Sequence, residues 1–242
     1  YTETAFGMNL EMVYVEGGTF EMGATAEQGE EAEEDEYLVR TIKLDGYHIG
    51  KCEVTQAQWK AVMGTTLEDQ LAMSEEDNGI EGEGSDYPMY YVNWTEAQAF
   101  CQKLSERTGK KYVLPTAAQW EYAARGGNKS QHYKYAGSND VNEVAWHYYN
   151  GGGKTYPVGT KKANELCIYD MSGNVWEWCT DWYGNYDEND TDNPQGPAEG
   201  ELRILRGGGC RDLDTDCHVL MWECLPPEYR CRVLGFRVAV IP

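Results

Sequence analysis

Cys167–Gly184 reads CIYDMSGNVWEWCTDWYG. Three tryptophans, Trp176, Trp178 and Trp182, crowd a Gly-Asn turn, and Asp170, Glu177 and Asp181 are set among them. Burying a large apolar side chain contributes roughly 1.5–3 kcal/mol, so rings of this size dominate a core. A carboxylate drawn in beside them needs a donor or a cation. Asp170-x-x-Gly173-Asn174-Val175-Trp176-Glu177 therefore reads as a turn whose oxygens converge, a set that suits a hard cation such as calcium. The alternative is a Trp-rich core turn whose acids are solvated or hydrogen-bonded, and composition does not choose between the two.

Outward from this stretch, the 242 residues, 41% of them hydrophobic, suffice for one large core, and no linker composition divides the chain. Against 20 basic residues stand 41 acidic ones, a net charge of −21. That excess repels a polyanion, which argues against nucleic-acid binding and disfavours an anionic membrane surface. No run of about 18 apolar residues occurs, so membrane insertion of the chain is not expected.

Cys52, Cys101, Cys167 and Cys179 lie in apolar settings typical of small buried hydrophobes. Cys210, Cys217, Cys224 and Cys231 follow at intervals of seven, but Pro226-Pro227 breaks any helix that would make them a stripe. No CxxC pair is present, which disfavours zinc, and no disulfide pairing is deducible. His48, His132, His147 and His218 are scattered and form no catalytic pattern.

In chain order, Met12–Val15 and Thr19–Met22 flank Gly17-Gly18 and read as a hairpin. The acid run at Glu27–Glu36 reads as a solvated loop. Arg40–Leu44 and Tyr47–Ile49 resume strand patterning. Thr55-x-x-Gln58, Thr95-x-x-Gln98 and Thr116-x-x-Gln119 read as capping boxes opening three short helices. Their core faces carry Trp59, Val62 and Met63, then Ala97, Phe100, Cys101 and Leu104, then Trp120, Ala123 and Ala124. Gly64, Gly109 and Gly126-Gly127 end them. Thr65–Asp86 reads as an acidic surface insertion, Gly126–Gly200 as mostly irregular, and Leu202–Arg206 and Gly235–Ile241 as strands.

Taken in series, MVYVEGGTFEMG, EVTQAQW, VNWTEAQAFCQKL, LPTAAQWEYAARGG, NELCIYDMSGNVWEWCTDW and RILRGGG with LGFRVA resemble the formylglycine-generating enzyme (sulfatase-modifying factor) family across nearly the whole chain. The resemblance implies one α+β domain, residues 1–242, of the C-type-lectin-like kind with little regular secondary structure. It also implies calcium on the side chains of Asp170 and Glu177 and the carbonyls of Gly173 and Val175. A second family calcium loop is not expected, because Asn150–Asn164 is too short to supply it. The family's oxidase chemistry holds copper(I) between two cysteines five apart after the RGG run. Here the second position is Cys217, but the first is Asp212, a hard ligand that cannot replace a thiolate. Copper and formylglycine generation are therefore not expected, with Cys217 the one catalytic candidate if the chain is an enzyme.

Between Gly209 and Leu234 the family likeness nearly vanishes. CRDLDTDCHVLMWECLPPEYRCRV has no hydrophobic period, and no Asn occurs after Asn193. A fixed scaffold around an unpatterned segment resembles the variable proteins of diversity-generating retroelements, which vary this stretch of this fold by rewriting adenines, especially in Asn codons. That resemblance implies a non-enzymatic ligand-binding protein with residues 210–233 as its contact surface. Cys210, Arg211, Asp212, Leu213, Asp214, Met221, Trp222, Glu223, Tyr229 and Arg232 are the candidate contacts, since hot spots favour Trp, Tyr and Arg. The alternative for Met221 and Trp222 is that they fill the core beneath. The partner expected is a protein or other surface ligand with apolar and acidic features, at a cell-surface, extracellular or phage-associated location. A family enzyme acting on cysteine or sulfur substrates, and a structural surface or secretion accessory protein, remain as alternatives.

Overall fold

The computed structural model describes residues 1–26, 39–74, 79–184 and 189–242. The acid run Glu27–Glu36 lies outside the described residues. Strands β1 (Thr2–Ala5), β2 (Met8–Val15), β5 (Tyr47–Gly50), β6 (Lys111–Val113) and β11 (Ala239–Ile241) form a sheet in the order β1-β2-β5-β11-β6. Strands β7 (Trp176–Trp182), β8 (Arg203–Arg206), β9 (Trp222–Leu225) and β10 (Leu234–Gly235) form another in the order β10-β7-β8-β9. A third sheet pairs β3 (Gly18–Met22) with β4 (Arg40–Leu44).

The hairpin expected around Gly17-Gly18 therefore does not form. Its arms go to different sheets, β2 to β5 and β3 to β4. The glycines mark a crossing, where a side chain at Gly17 would strike the Leu44 carbonyl at 2.7 Å. Gly235–Ile241 likewise divides into β10 and β11, which serve separate sheets. Alternation alone could not reveal either division, because it fixes a face and not a partner.

The helices follow the caps more closely. Thr55 opens α1 (Gln56–Met63) and Thr116 opens α4 (Ala117–Ala124), each with its glutamine closing a capping box. The third box is shifted: α3 (Trp94–Thr108) starts from Asn93 with Glu96 as its reciprocal partner, not from Thr95 with Gln98. Asn is as good an N-cap as Thr, and the carboxylate also suits the helix N-terminus. Within the expected insertion, Thr66 and Asp69 cap a helix that the acidic composition hid, α2 (Leu67–Ala72). The short helices α5 (Val141–Val144) and α6 (Tyr148–Gly151) lie in the irregular region.

One apolar cluster fills the space between the large sheet, α1, α3 and β7, with Trp59, Phe100 and Phe236 in ring contact at 5.3–6.0 Å. A second packs α4 against β5 and β8 through Tyr47, Trp120 and Ile204. Trp178 joins the first and donates to the Val92 carbonyl at 2.8 Å, so its one polar atom is satisfied in the interior.

Candidate functional site

Two groups of residues meet across β7. The first is the turn Asp170–Glu177. Asp170 and Asn174 both have positive φ, 56° and 66°, and Gly173 sits between them at 78°. A Cβ on Gly173 would lie 2.4 Å from the Trp146 carbonyl, so only glycine permits the close approach. The turn aims Glu177 into the core, where both oxygens receive Arg237, Nε and Nη2 each at 2.6 Å, and Trp120 Nε1 adds a bond at 2.7 Å. Neither Arg237 nor Glu177 is exposed at all. Arg237 also donates to the carbonyls of Gly50, Tyr169 and Asp170. A bidentate, fully hydrogen-bonded pair is the arrangement under which buried charge is tolerated.

Two further acids surround it. Asp170 accepts the Gly159 amide at 2.7 Å, and burial lifts its carboxyl to about 6. Glu53 accepts Asn174 Nδ2 at 2.7 Å and the Val175 amide at 3.1 Å. Burial, then the charges of Asp170 and Glu177, push it well above the usual carboxylate range. Three carboxylates thus face one guanidinium. Calcium here would compete with Arg237 for Glu177, and among the described residues no group of three or more His, Cys, Asp or Glu side chains is arranged to hold a metal ion. Both Glu177 oxygens are engaged by Arg237, so the ion would have to displace that guanidinium.

The second group is the window Cys210–Val233, tied to the first by Trp176. Its indole donates to Asp212 Oδ2 at 2.7 Å, and the Gly209 amide reaches the same oxygen at 2.9 Å. Asp212 is therefore a brace that turns the chain back on itself, half-buried, with its carboxyl raised by burial. A side chain at Gly208 would meet the Asp216 carbonyl at 2.5 Å, which keeps that return tight. Cys210 and Cys217 are buried. The Cys217 thiol donates to the Leu213 carbonyl at 3.5 Å, and burial followed by Asp212, Asp216 and Asp214 raises its pKa. Burial likewise pushes Cys210 up to about 12. Both sulfurs sit where the thiol form is favoured over the nucleophilic thiolate.

Cys217, His218, Val219 and Leu220 form an interior plug, with Val219 in the second apolar cluster. The plug is held by Arg206, which donates to the Leu220 carbonyl and pairs with buried Glu121 at 2.9 Å. Met221 and Trp222 are half-buried, and Trp222 stacks on Tyr183 at 5.3 Å. Both alternatives for Trp222 are thus partly realised: it packs against the second apolar cluster yet stays half-exposed. Asp214 is half-buried, and the exposed positions in the window are Leu213, Thr215, Glu223, Glu228 and Tyr229.

The arginines differ from expectation. Arg211 and Arg232 both reach Glu81, at 2.6 and 3.6 Å, and Arg230 pairs bidentately with Glu96 at 2.9 and 3.1 Å. Glu81 is itself positioned by its amide on the Tyr90 hydroxyl at 2.9 Å. The window's positive charge is thus compensated within the chain, so the partner's expected acidic features lose their counterpart.

Glu81, Glu53, Arg237 and the pair Tyr148-Tyr149 were missed in the sequence. Tyr148 and Tyr149, 54% and 70% exposed, stand beside the window because the Tyr148 amide bonds the Asp212 carbonyl at 2.9 Å. Two adjacent aromatics outside any apolar period were the available signal. Glu81 gave none, being one acid among many.

A model of the sulfatase-modifying factor enzyme 1-like domain matches residues 2–241. The chaperone protein LppX of Paenibacillus barcinonensis is 34% identical over 249 residues, 82% of this chain and 78% of that protein. The formylglycine-generating enzyme of Streptomyces coelicolor is 28% identical over 284 residues, 94% and 88% of the two chains. Among solved structures, Treponema denticola variable protein 1 superposes with a TM-score of 0.82 at 30% identity, covering 100% of this chain and 99% of that one. With the turn, the caps and the order of strands in place, the chain belongs to the sulfatase-modifying factor (formylglycine-generating enzyme) family, and its α+β domain has the C-type-lectin-like fold of that family.

Proposed function

We propose that this chain is a non-enzymatic recognition protein that presents the exposed parts of Cys210–Val233 to a macromolecular partner. The observation that carries this is Asp212: its carboxylate is committed to Trp176 and Gly209 at the position where copper(I) would need a thiolate. Cys217 is left without a thiol five residues before it and sits among the carboxylates of Asp212, Asp214 and Asp216, surroundings that do not favour copper(I). The full-length likeness to Treponema denticola variable protein 1 supports the same view. Among the described residues no helix is long and apolar enough to cross a membrane.

The test is genetic and chemical. Sister sequences should differ at Leu213, Thr215, Glu223, Glu228 and Tyr229 while Cys217–Leu220 stay fixed, with an adenine-rich template repeat and a reverse transcriptase encoded nearby. Identical sister sequences would count against diversification. Stoichiometric copper(I) binding with oxygen consumption on a cysteine peptide would replace recognition with oxidase activity. A second candidate, an accessory chaperone, has the support of the 34% identity to LppX and predicts suppression of aggregation of an unfolded client.

A further inference from the structure

Among the described residues, strand β9 lies at the edge of its sheet, with β8 as its one strand neighbour. It is also the strand that the described part of the window contributes. The backbone amide of Cys224 is not engaged in the ladder to Ile204; it donates to Glu223 Oε1 of the preceding residue at 2.8 Å. Since ladder partners alternate between inward and outward hydrogen bonding, Trp222 and Cys224 turn their backbone groups away from β8. An open edge of this kind is a template for another strand. Glu223, whose carboxylate takes the Cys224 amide, is exposed.

We infer that β9 receives an extended, basic segment of a partner protein as a fifth strand of the β10-β7-β8-β9 sheet. This deepens the recognition function proposed above and rests on it. The occupant follows from charge. A second copy of the chain would bring another −21 and a second Glu223 to the same edge, whereas a segment carrying Lys or Arg meets both favourably. On docking, a partner carbonyl accepts the Cys224 amide, and the displaced Glu223 carboxylate pairs with a partner cation. Trp222 stacked on Tyr183 lies beside the same edge as an aromatic surface for partner side chains. Main-chain pairing does not depend on side-chain identity, so changes at window side chains would retune specificity while basal affinity persists.

The probe is a fluorescein-labelled L-peptide of about ten residues alternating Lys with Val or Thr, enough to cover β9 with overhang on both sides. Its binding to the full chain is read by anisotropy, beside the same peptide N-methylated at alternate residues. Saturable binding that falls at least about tenfold on N-methylation is expected. Cys224→Pro removes the outward amide and should cost the same factor, while Cys224→Ala, which removes the thiol alone, should not. The N-methylated peptide on the unaltered chain decides the matter even if Cys224→Pro fails to fold.

Equal binding of both peptides, no saturable binding, or a dimer in sedimentation that Cys224→Pro dissociates would each overturn the inference. A natural partner lost on Tyr229→Ala or Leu213→Ser, with no effect of Cys224→Pro, would overturn edge pairing while leaving recognition by the window standing. Sister sequences that do not vary, together with no partner lost on any window change, would remove the recognition function itself.

Discussion

The turn Asp170–Glu177 and the window Cys210–Val233 are joined through Trp176 and solve opposite problems. In the turn, Glu177, Asp170, Glu53 and Arg237 are closed off from solvent and partnered with one another and with carbonyls and amides. In the window, ion pairs and a buried plug hold the ends and the middle, and the tips between them are left to water. A segment with little regular structure of its own can therefore be well placed, provided its anchors belong to a scaffold that does not yield.

The contrast breaks most decisively at Arg237. Arg237→Ala strands Glu177 beside two further acids and should cost about 3–5 kcal/mol or prevent folding, read by urea unfolding. Replacing the pair together, Arg237→Met with Glu177→Leu, should recover part of that loss.

Next is pH. Because the folded Asp170 carboxyl is raised to about 6, the folded chain binds more protons than the unfolded one over that interval. Its contribution is full below the unfolded value of about 3.9 and is lost as pH rises through about 6. Asp170→Asn keeps an oxygen for the Gly159 amide. It should therefore flatten the thermal midpoint between pH 4 and pH 7 and stabilise the chain at pH 7.5 by on the order of 2 kcal/mol. A profile unchanged by Asp170→Asn would show that burial there is less complete.

Smaller still is Glu81→Ala. It releases Arg211 and Arg232 in a half-exposed setting, so global stability should fall by about 1 kcal/mol or less, while amide exchange within the window rises. At the far end, Leu213→Ser and Thr215→Ala should stay within about 0.5 kcal/mol of the parent. Millimolar calcium or its chelation should leave the midpoint in place, since Arg237 already neutralises Glu177. A rise with calcium would mean the ion displaces Arg237.

Much of the scaffold was legible because local signals and tertiary demands coincide there. Thr55 and Thr116 cap where their boxes predict, and Ala97, Phe100, Cys101 and Leu104 line one buried stripe. What escaped depends on long-range pairing. Nothing local separates β2 from β3 as members of different sheets, or joins Glu53 to Val175 across 122 positions. The window was legible in outline, as the region with no period, but its division was not. Cys217–Leu220 carry the same mixed composition as their neighbours, and it takes the fold, with Ser172 on the Cys217 carbonyl and Arg206 on the Leu220 carbonyl, to turn them inward.

That inward plug bears on any engineered repertoire. Randomising every codon from Cys210 to Val233 would discard most members as misfolded chains, because a random residue seldom fits a close-packed interior. Restricting the mutagenesis to Leu213, Thr215, Glu223, Glu228 and Tyr229 would keep nearly every clone foldable.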